Sequence, residues 1–406
     1  MSFTDLWDSL LPLGRDPGTG GYRRYSFTAA DAACRGWFRD QAAQRSLRLQ
    51  TDRNGNLWAH WDVPAAWPSG SMIVTGSHLD SVPDGGAYDG PLGVVSGFAA
   101  IDLLRARGFV PARPIAVAAF CEEEGGRFGV ACLGSRLLTG VLASQAALEL
   151  RDSGGTSLAQ AMVGAGLDPG RLGEDEELLD SIGAFVELHI EQGRALAGLG
   201  AAVGLAEGIW PHGRWRLDFT GRADHAGTTR LADRRDPMLP YAATVLAARQ
   251  AAASGAALAT FGKVMAEPGA ANAICSAVRT WLDARAPDEE ALDKTVTEIR
   301  SAAESSSAEQ GVTLTVHPDS YTPAVRFDPG LRDRIVNVLA AAGVDAPILP
   351  TGAGHDAGIL AARIPTAMLF VRNPTGVSHS PAEHADPADC EAGVRALALV
   401  LEDLAR

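Results

Sequence analysis

"MIVTGSHLDSVPDGGAYDGPLGVVSGFAAIDLLRARG", residues 72–108, is the stretch on which the fold turns. It opens on a β-rich apolar run, "MIVTG", and closes on the helix-like "GVVSGFAAIDLLRARG", whose last glycine stands where a helix C′ residue belongs. Strand, glycine-rich polar turn and helix follow one another directly. Further apolar runs at "IAVAAF" and "AFVELHI" extend the alternation and predict a largely parallel sheet covered by helices. Near Trp210 the texture changes. "RWRLDFTGRADHAGTT" alternates like a strand, "PMLPYAATVLAARQAAAS" reads helical, "ATFGKVMA" and "AVRTWLDAR" read as strands, "EEALDKTVTEIRSAAE" as a helix and "VTLTVH" as a strand. Strand, helix, strand, strand, helix, strand is the order of a small ferredoxin-like α+β domain. From about Arg326 the α/β texture resumes. At 406 residues the chain exceeds one hydrophobic core, so we expect an α/β, mixed-sheet domain built from residues 1–209 and 326–406, with an α+β domain inserted at 210–325.

With 46% hydrophobic and 21% charged residues, the composition is that of an ordinary globular chain, and no apolar stretch is long enough for a membrane span. Cys34, Cys121, Cys132, Cys275 and Cys390 are scattered with no CxxC pair, which argues for buried thiols rather than a disulfide framework or a cysteine zinc site. A formal charge of −14 without any dense Lys/Arg run disfavours nucleic acid and anionic membrane, leaving small-molecule partners. The opening "MSFTDLWDSLLPLG" carries acids where an export signal would be basic, so a cytoplasmic location is expected.

Ligands in α/β sheets bind beyond the carboxyl ends of strands, where the polar residues of this chain gather. His78 and Asp80 follow the first apolar run, and Asp89 stands eleven residues after His78. Gly85, Gly86, Gly90 and Gly93 would let the backbone turn tightly enough to return Asp89 beside His78, although a plain polar loop has the same composition. "IAVAAFCEEEGGRFG" ends a strand on Glu122, Glu123 and Glu124, three carboxylates that repel one another unless a cation compensates or water solvates them. His189, inside the apolar "AFVELHI", taken singly reads as a core histidine. "TGVSHSPAEH" adds His379 and His384, and "TGAGHDAG" adds His355 and Asp356. Taken together these are the nitrogen and oxygen donors that zinc or manganese accepts. A shared aspartate between two cations roughly 3.5–4 Å apart, with a His pair on one side and Glu plus His on the other, is a sensible way to use such donors. A mononuclear iron centre on His78 and Asp80 would leave Asp89 and the glutamate run without a purpose.

The segments "GSHLDSVPDGGAYDGPLGV", "EEEGGRF", "ELHIEQG", "DHAGTT", "LDAR", "GAGHDA" and "SHSPAEH", in this order, resemble the M20 metallopeptidase superfamily. More narrowly they resemble its ureidohydrolase branch of allantoate amidohydrolases, N-carbamoyl-L-amino-acid hydrolases and β-ureidopropionases. The resemblance implies two divalent ions per subunit, zinc or manganese with cobalt or nickel as alternatives. His78, Asp89 and His189 would hold one ion, and Asp89, Glu124 and His379 the other. Asp80 would orient His78, and Glu123 would take a proton from the attacking water and pass it to the leaving nitrogen. The inserted domain would be a lid and the dimerisation surface of a homodimer, with His225 stabilising the oxyanion in the partner subunit's site. Gln192, Asn272, Arg285 and Gly354 would hold the substrate's amide and carboxylate, Arg285 through its guanidinium fork. His355 and Asp356 would support the site from a loop. A cis peptide after Asp89 is implied as well.

The implied reaction is hydrolysis of a linear C–N bond in a small carboxylate substrate, allantoate or an N-carbamoyl-L-amino acid. Arg230 after "HAGTT", Gly358 after "GHDA" and Arg372 before the His379 loop depart from the branch pattern. Arg230 or Arg372 could receive a second substrate carboxylate. That would point to an N-formyl or N-acyl derivative of an acidic amino acid, or to a dipeptide, on the same scaffold.

Overall fold

The computed structural model describes residues 2–63 and 67–406. Contacts divide the chain into two compact units, residues 1–207 with 326–406, and residues 208–325.

The first unit is built on a nine-stranded mixed sheet. Across it run Arg48–Thr51, Leu57–Trp61, Ile115–Phe120, Met72–His78, Ile182–Ile190, Thr366–Val371, Val203–Ile209 and Val325–Arg326, with Ile348–Thr351 also pairing with Val203–Ile209. The four strands from Ile115–Phe120 to Thr366–Val371 are mutually parallel, and the strands flanking these four are antiparallel to them. Every residue of Met72–His78, Ile115–Phe120 and Thr366–Val371 is buried, as parallel strands covered on both faces require, which explains their unbroken apolar runs. Pro91–Ala106 starts with proline at its first turn and buries most of its circumference, so its sequence shows little amphipathic contrast. It packs with Pro387–Leu404 and the sheet around a core that includes Phe38, Phe98, Ile101, Leu188, Leu397 and Leu401. Phe98, with no exposed surface and T-shaped contacts to Trp37 and Phe38, would cost about 3–5 kcal/mol as alanine.

Met72–His78 has Ile115–Phe120 on one side and Ile182–Ile190 on the other, so consecutive connections leave it in opposite directions. Such a reversal opens a crevice at the carboxyl ends of the strands. His78, the glutamate run after Phe120, His189 and the segment after Val371 all arrive at that edge.

The second unit is a four-stranded antiparallel sheet in the order Thr313–Thr322, His212–Thr220, Ala277–Arg285, Leu258–Glu267. Helices Met238–Ser254 and Glu289–Glu309 pack together and cover Leu217, Phe219, Val278 and Leu282 of the sheet, with Ile299 of the second helix in the same core. Asp224–His225 pairs with Ala273–Ile274 in a separate two-residue ribbon.

Candidate metal centre

Two histidines set the geometry. His78 ends its strand and His189 lies one residue from the end of its own, with rings 6.0 Å apart and both buried. In each ring Nδ1 meets a backbone carbonyl, Asp80 O at 3.2 Å from His78 and Ile190 O at 2.8 Å from His189. Those contacts place the proton on Nδ1 and leave the Nε2 lone pair free to bind a cation. Both Nε2 atoms are buried without a hydrogen-bond partner, and both face Asp89 Oδ1, at 3.6 Å from His78 and 3.1 Å from His189.

Asp89 returns to His78 because of Gly90, which caps the following helix at φ 85°. A Cβ there would lie 2.4 Å from the His78 ring, so only glycine allows the approach. The implied cis bond after Asp89 is a correction: among the described residues the cis bond is Glu267–Pro268, and the positive φ of Gly90 makes the turn. The other oxygen of Asp89, Oδ2, lies 3.4 Å from His379 Nε2, which in turn is 3.6 Å from Glu124 Oε2. Asp89 therefore turns one oxygen to each of two donor sets, His78–Asp89–His189 and Asp89–Glu124–His379, and within each set the donor atoms lie within 4.8 Å of one another.

The three consecutive glutamates diverge. Glu122 turns away, its Oε1 accepting from the backbone N–H groups of Arg127 and Phe128 at 2.7 Å each. Glu123 points Oε2 at His78 Nε2, 3.6 Å away, while its Oε1 accepts from the Cys132 thiol at 3.2 Å. Glu124 turns to His379. The Asp80 carboxylate accepts the backbone N–H groups of Glu123 at 3.1 Å and Glu124 at 3.0 Å, and stands 3.5 Å from His78 Nδ1. It thus orients the glutamates at least as firmly as it orients His78.

The charges are uncomfortable without a cation. Burial opposes the charged form of His78, yet Glu123, Asp80 and Asp89 outweigh it and hold the imidazole well above its ordinary pKa. Burial likewise opposes ionised Asp89, but the facing imidazoles of His189 and His78 keep its carboxyl well below the usual range. Burial, then the charge of Asp89, pushes Glu124 up to about 8. Orphaned imidazole nitrogens facing a crowd of buried carboxylates form a donor set of the kind that divalent zinc or manganese fits.

Other expected residues fall into three places. Gln192 reaches the centre, its Nε2 donating to Asp89 Oδ2 at 2.7 Å and to Ser378 Oγ at 3.1 Å, while its Oε1 is buried without a partner. Asp356 accepts from the Ser135 hydroxyl at 2.5 Å, and the buried ring of His355 stands 4.5 Å from that of His189. Gly354 precedes them with open space around its Cα. His225, Asn272 and Arg285 belong to the second unit. There Ala226 N–H donates to Asn272 O at 3.0 Å, and Arg285 Nε donates to Asp283 at 2.9 Å.

Arg372 is engaged within the fold: Asp389, itself buried, holds its guanidinium through two hydrogen bonds of 2.7 and 2.9 Å, which a second substrate carboxylate would have to displace. Arg230 is exposed and pairs with Asp233 at 2.7 Å. His384, also in the C-terminal motif, turns to Asp386 at 3.2 Å.

Several participants were not singled out from the sequence. Glu187 accepts from Ser77 Oγ at 2.6 Å and Ala357 N–H at 3.0 Å, and Glu383 accepts from backbone beside Asp89. Glu187 stands two residues before His189 on one strand face, the period-2 relation that could have flagged it. The arm before Tyr25 also matters: Tyr22 N–H donates to Gly85 O at 3.1 Å and Arg23 pairs with Asp84 at 2.9 Å, bracing the loop that carries Asp89.

The sequence profile of peptidase family M20/M25/M40 matches residues 74–403. N-carbamoyl-L-amino acid amidohydrolase of Geobacillus stearothermophilus is 37% identical over 97% of this chain and 96% of its own. Allantoate amidohydrolase of Bacillus subtilis is 32% identical over 100% of this chain and 97% of its own. A hydantoinase/carbamoylase family amidase from Burkholderia ambifaria, 31% identical, superposes with a TM-score of 0.87 over 100% of this chain and 98% of that one. With a profile match across most of its length and full-length amidohydrolase relatives, this chain belongs to peptidase family M20/M25/M40 and stands within it among the amidohydrolases of carbon–nitrogen bonds other than peptide bonds.

Proposed function

We propose that this protein hydrolyses the linear carbamoyl C–N bond of a ureido acid, an N-carbamoyl-L-amino acid or allantoate, at a two-ion centre. The observation that carries the reading is Asp89, one oxygen facing His78 and His189 and the other facing His379, with Glu124 beside it. His78, Asp89 and His189 would hold one ion; Asp89, Glu124 and His379 would hold the other. When bound, such ions polarise the substrate carbonyl and bring the pKa of a bound water to about 7.

Glu123 then serves as the general base. Its buried carboxylate, steadied by Cys132, takes the proton of the attacking water and delivers it to the departing nitrogen. Gln192 supplies the preference for a ureido group. Asp89 accepts from Nε2, which fixes the amide orientation and leaves Oε1 as an unpaired buried acceptor. A carbamoyl –NH2 satisfies that acceptor, and a formyl group has no N–H to give it. To His225 we assign the developing oxyanion, and to Asn272, Arg285 and Gly354 the substrate's amide and carboxylate. A homodimer through the second unit is supported by its open edge strand Leu258–Glu267, with exposed Val264 and Met265, and by exposed Leu239 and Leu246 on Met238–Ser254.

Protein stripped and refilled with zinc or manganese should be assayed on allantoate, several N-carbamoyl-L-amino acids, N-formylglutamate and dipeptides. We expect ammonia and carbon dioxide as products, with kcat/KM at least about 100-fold higher for a ureido acid than for the rest. Formate release from N-formylglutamate, or a preference for dipeptides, at equal or greater kcat/KM would overturn the assignment.

A further inference from the structure

We propose that Glu383 is a positioning residue for both ions at once, an inference that rests on the two-ion reading above. Its carboxylate is buried, and its Oε1 accepts two consecutive backbone N–H groups, Tyr88 at 2.9 Å and Asp89 at 3.0 Å. Its Oε2 lies 3.4 Å from Ser378 Oγ, and that same hydroxyl is 3.1 Å from Asp89 Oδ2. Glu383 thus grips the one side chain common to both donor sets by its backbone. Through Ser378 it also ties that side chain to the loop that presents His379. The space for it exists because residue 86 is glycine: a Cβ there would stand 2.3 Å from Glu383 Oε1.

An ordinary loop hydrogen bond would stabilise one turn. Glu383 instead joins segments 294 residues apart at the only aspartate shared by the two donor sets, so its loss rotates both carboxylate oxygens of Asp89 off their targets. Partners behind metal ligands commonly contribute 10–100-fold to affinity.

The test is direct zinc titration of the demetallated full-length protein by calorimetry, with bound zinc counted after gel filtration. Wild type, Glu383→Gln, Glu383→Ala and Gly86→Ala are compared, alongside the melting temperature of each apo-protein. Glu383→Ala should weaken both zinc sites by 10–100-fold while the apo-protein melts within a few degrees of wild type. Glu383→Gln, which keeps an oxygen acceptor for the two N–H groups, should recover most of the loss. Gly86→Ala, which displaces the carboxylate from the other side, should repeat the effect if Glu383→Ala proves insoluble. Wild-type affinity at either site in both Glu383→Ala and Gly86→Ala would overturn the proposal. So would a Glu383→Gln variant as weak as alanine. Failure of wild type itself to bind two zinc ions would instead sink the two-ion reading on which this rests.

Discussion

Two histidine-bearing regions, one in each unit, are built on opposite terms. Around His78 and His189 both rings and nearly every carboxylate are buried, each ring held at Nδ1 by a carbonyl close to it in the chain and Asp80 tied to the glutamate run from another segment, while His379 at the rim is half exposed. Around His225 the ribbon is two residues long and the histidine itself is exposed, its imidazole's contact being its own turn, with Gly227 N–H donating to Nδ1 at 3.0 Å. A centre that must hold like charges together needs a rigid, dry scaffold, whereas a group that enters only when substrate is present gains from staying mobile. On the function proposed above, stability and catalysis separate by residue: the first region would carry both, the second only turnover.

The contrast can be broken most sharply at the base. Glu123→Gln should lower kcat by about 10³-fold while two ions remain bound, measured by steady-state kinetics and metal analysis on one preparation. Loss of the ions together with activity would show that Glu123 is a ligand. Next comes a paired measurement: His225→Ala should cost about 10²-fold in kcat with unchanged metal content and melting temperature, whereas His189→Ala should lose metal and melt earlier. If His225→Ala sheds metal or stability, the two regions are not separable.

Arg372→Met leaves the buried Asp389 carboxylate without its partner and should destabilise the protein by about 1–3 kcal/mol in urea titration. The ratio of kcat/KM for acidic and neutral substrates should stay put, and a shift toward neutral substrates would return Arg372 to substrate binding.

The last effect lies outside both regions. Burial holds the pKa of His60 down to about 4, so the folded protein keeps it neutral while the unfolded chain takes up a proton near 6.5. Its stability contribution is complete above 6.5 and is lost as pH falls from there toward 4, by about 3 kcal/mol. His60→Gln should flatten that part of the pH–stability curve, and an unchanged slope would rule the histidine out as its source.

Much of the centre was readable because its chemistry is written in local runs. An apolar stretch ending in His78, another ending in three glutamates and a third containing His189 announce strands whose carboxyl ends carry donors, and the glycines after Asp80 announce a tight return. The arm at Tyr22 and Arg23 was not readable, because its partners, Gly85 and Asp84, lie some sixty residues away and no periodicity links them. Arg372 looked available for the same reason: its sequence neighbourhood holds no acid, and Asp389 reaches it from the C-terminal helix.

Sequence alone therefore determined the element types, the candidate donor residues and the family, since these depend on side-chain period, turn chemistry and residue identity over short spans. Tertiary structure decided which oxygen of Asp89 faces which histidine, why Glu122 turns away from its two neighbours, and how Glu383 comes to hold Asp89. Those outcomes follow from closing the chain on itself, where a carboxylate takes whichever buried N–H or cation the packed elements bring within about 3 Å.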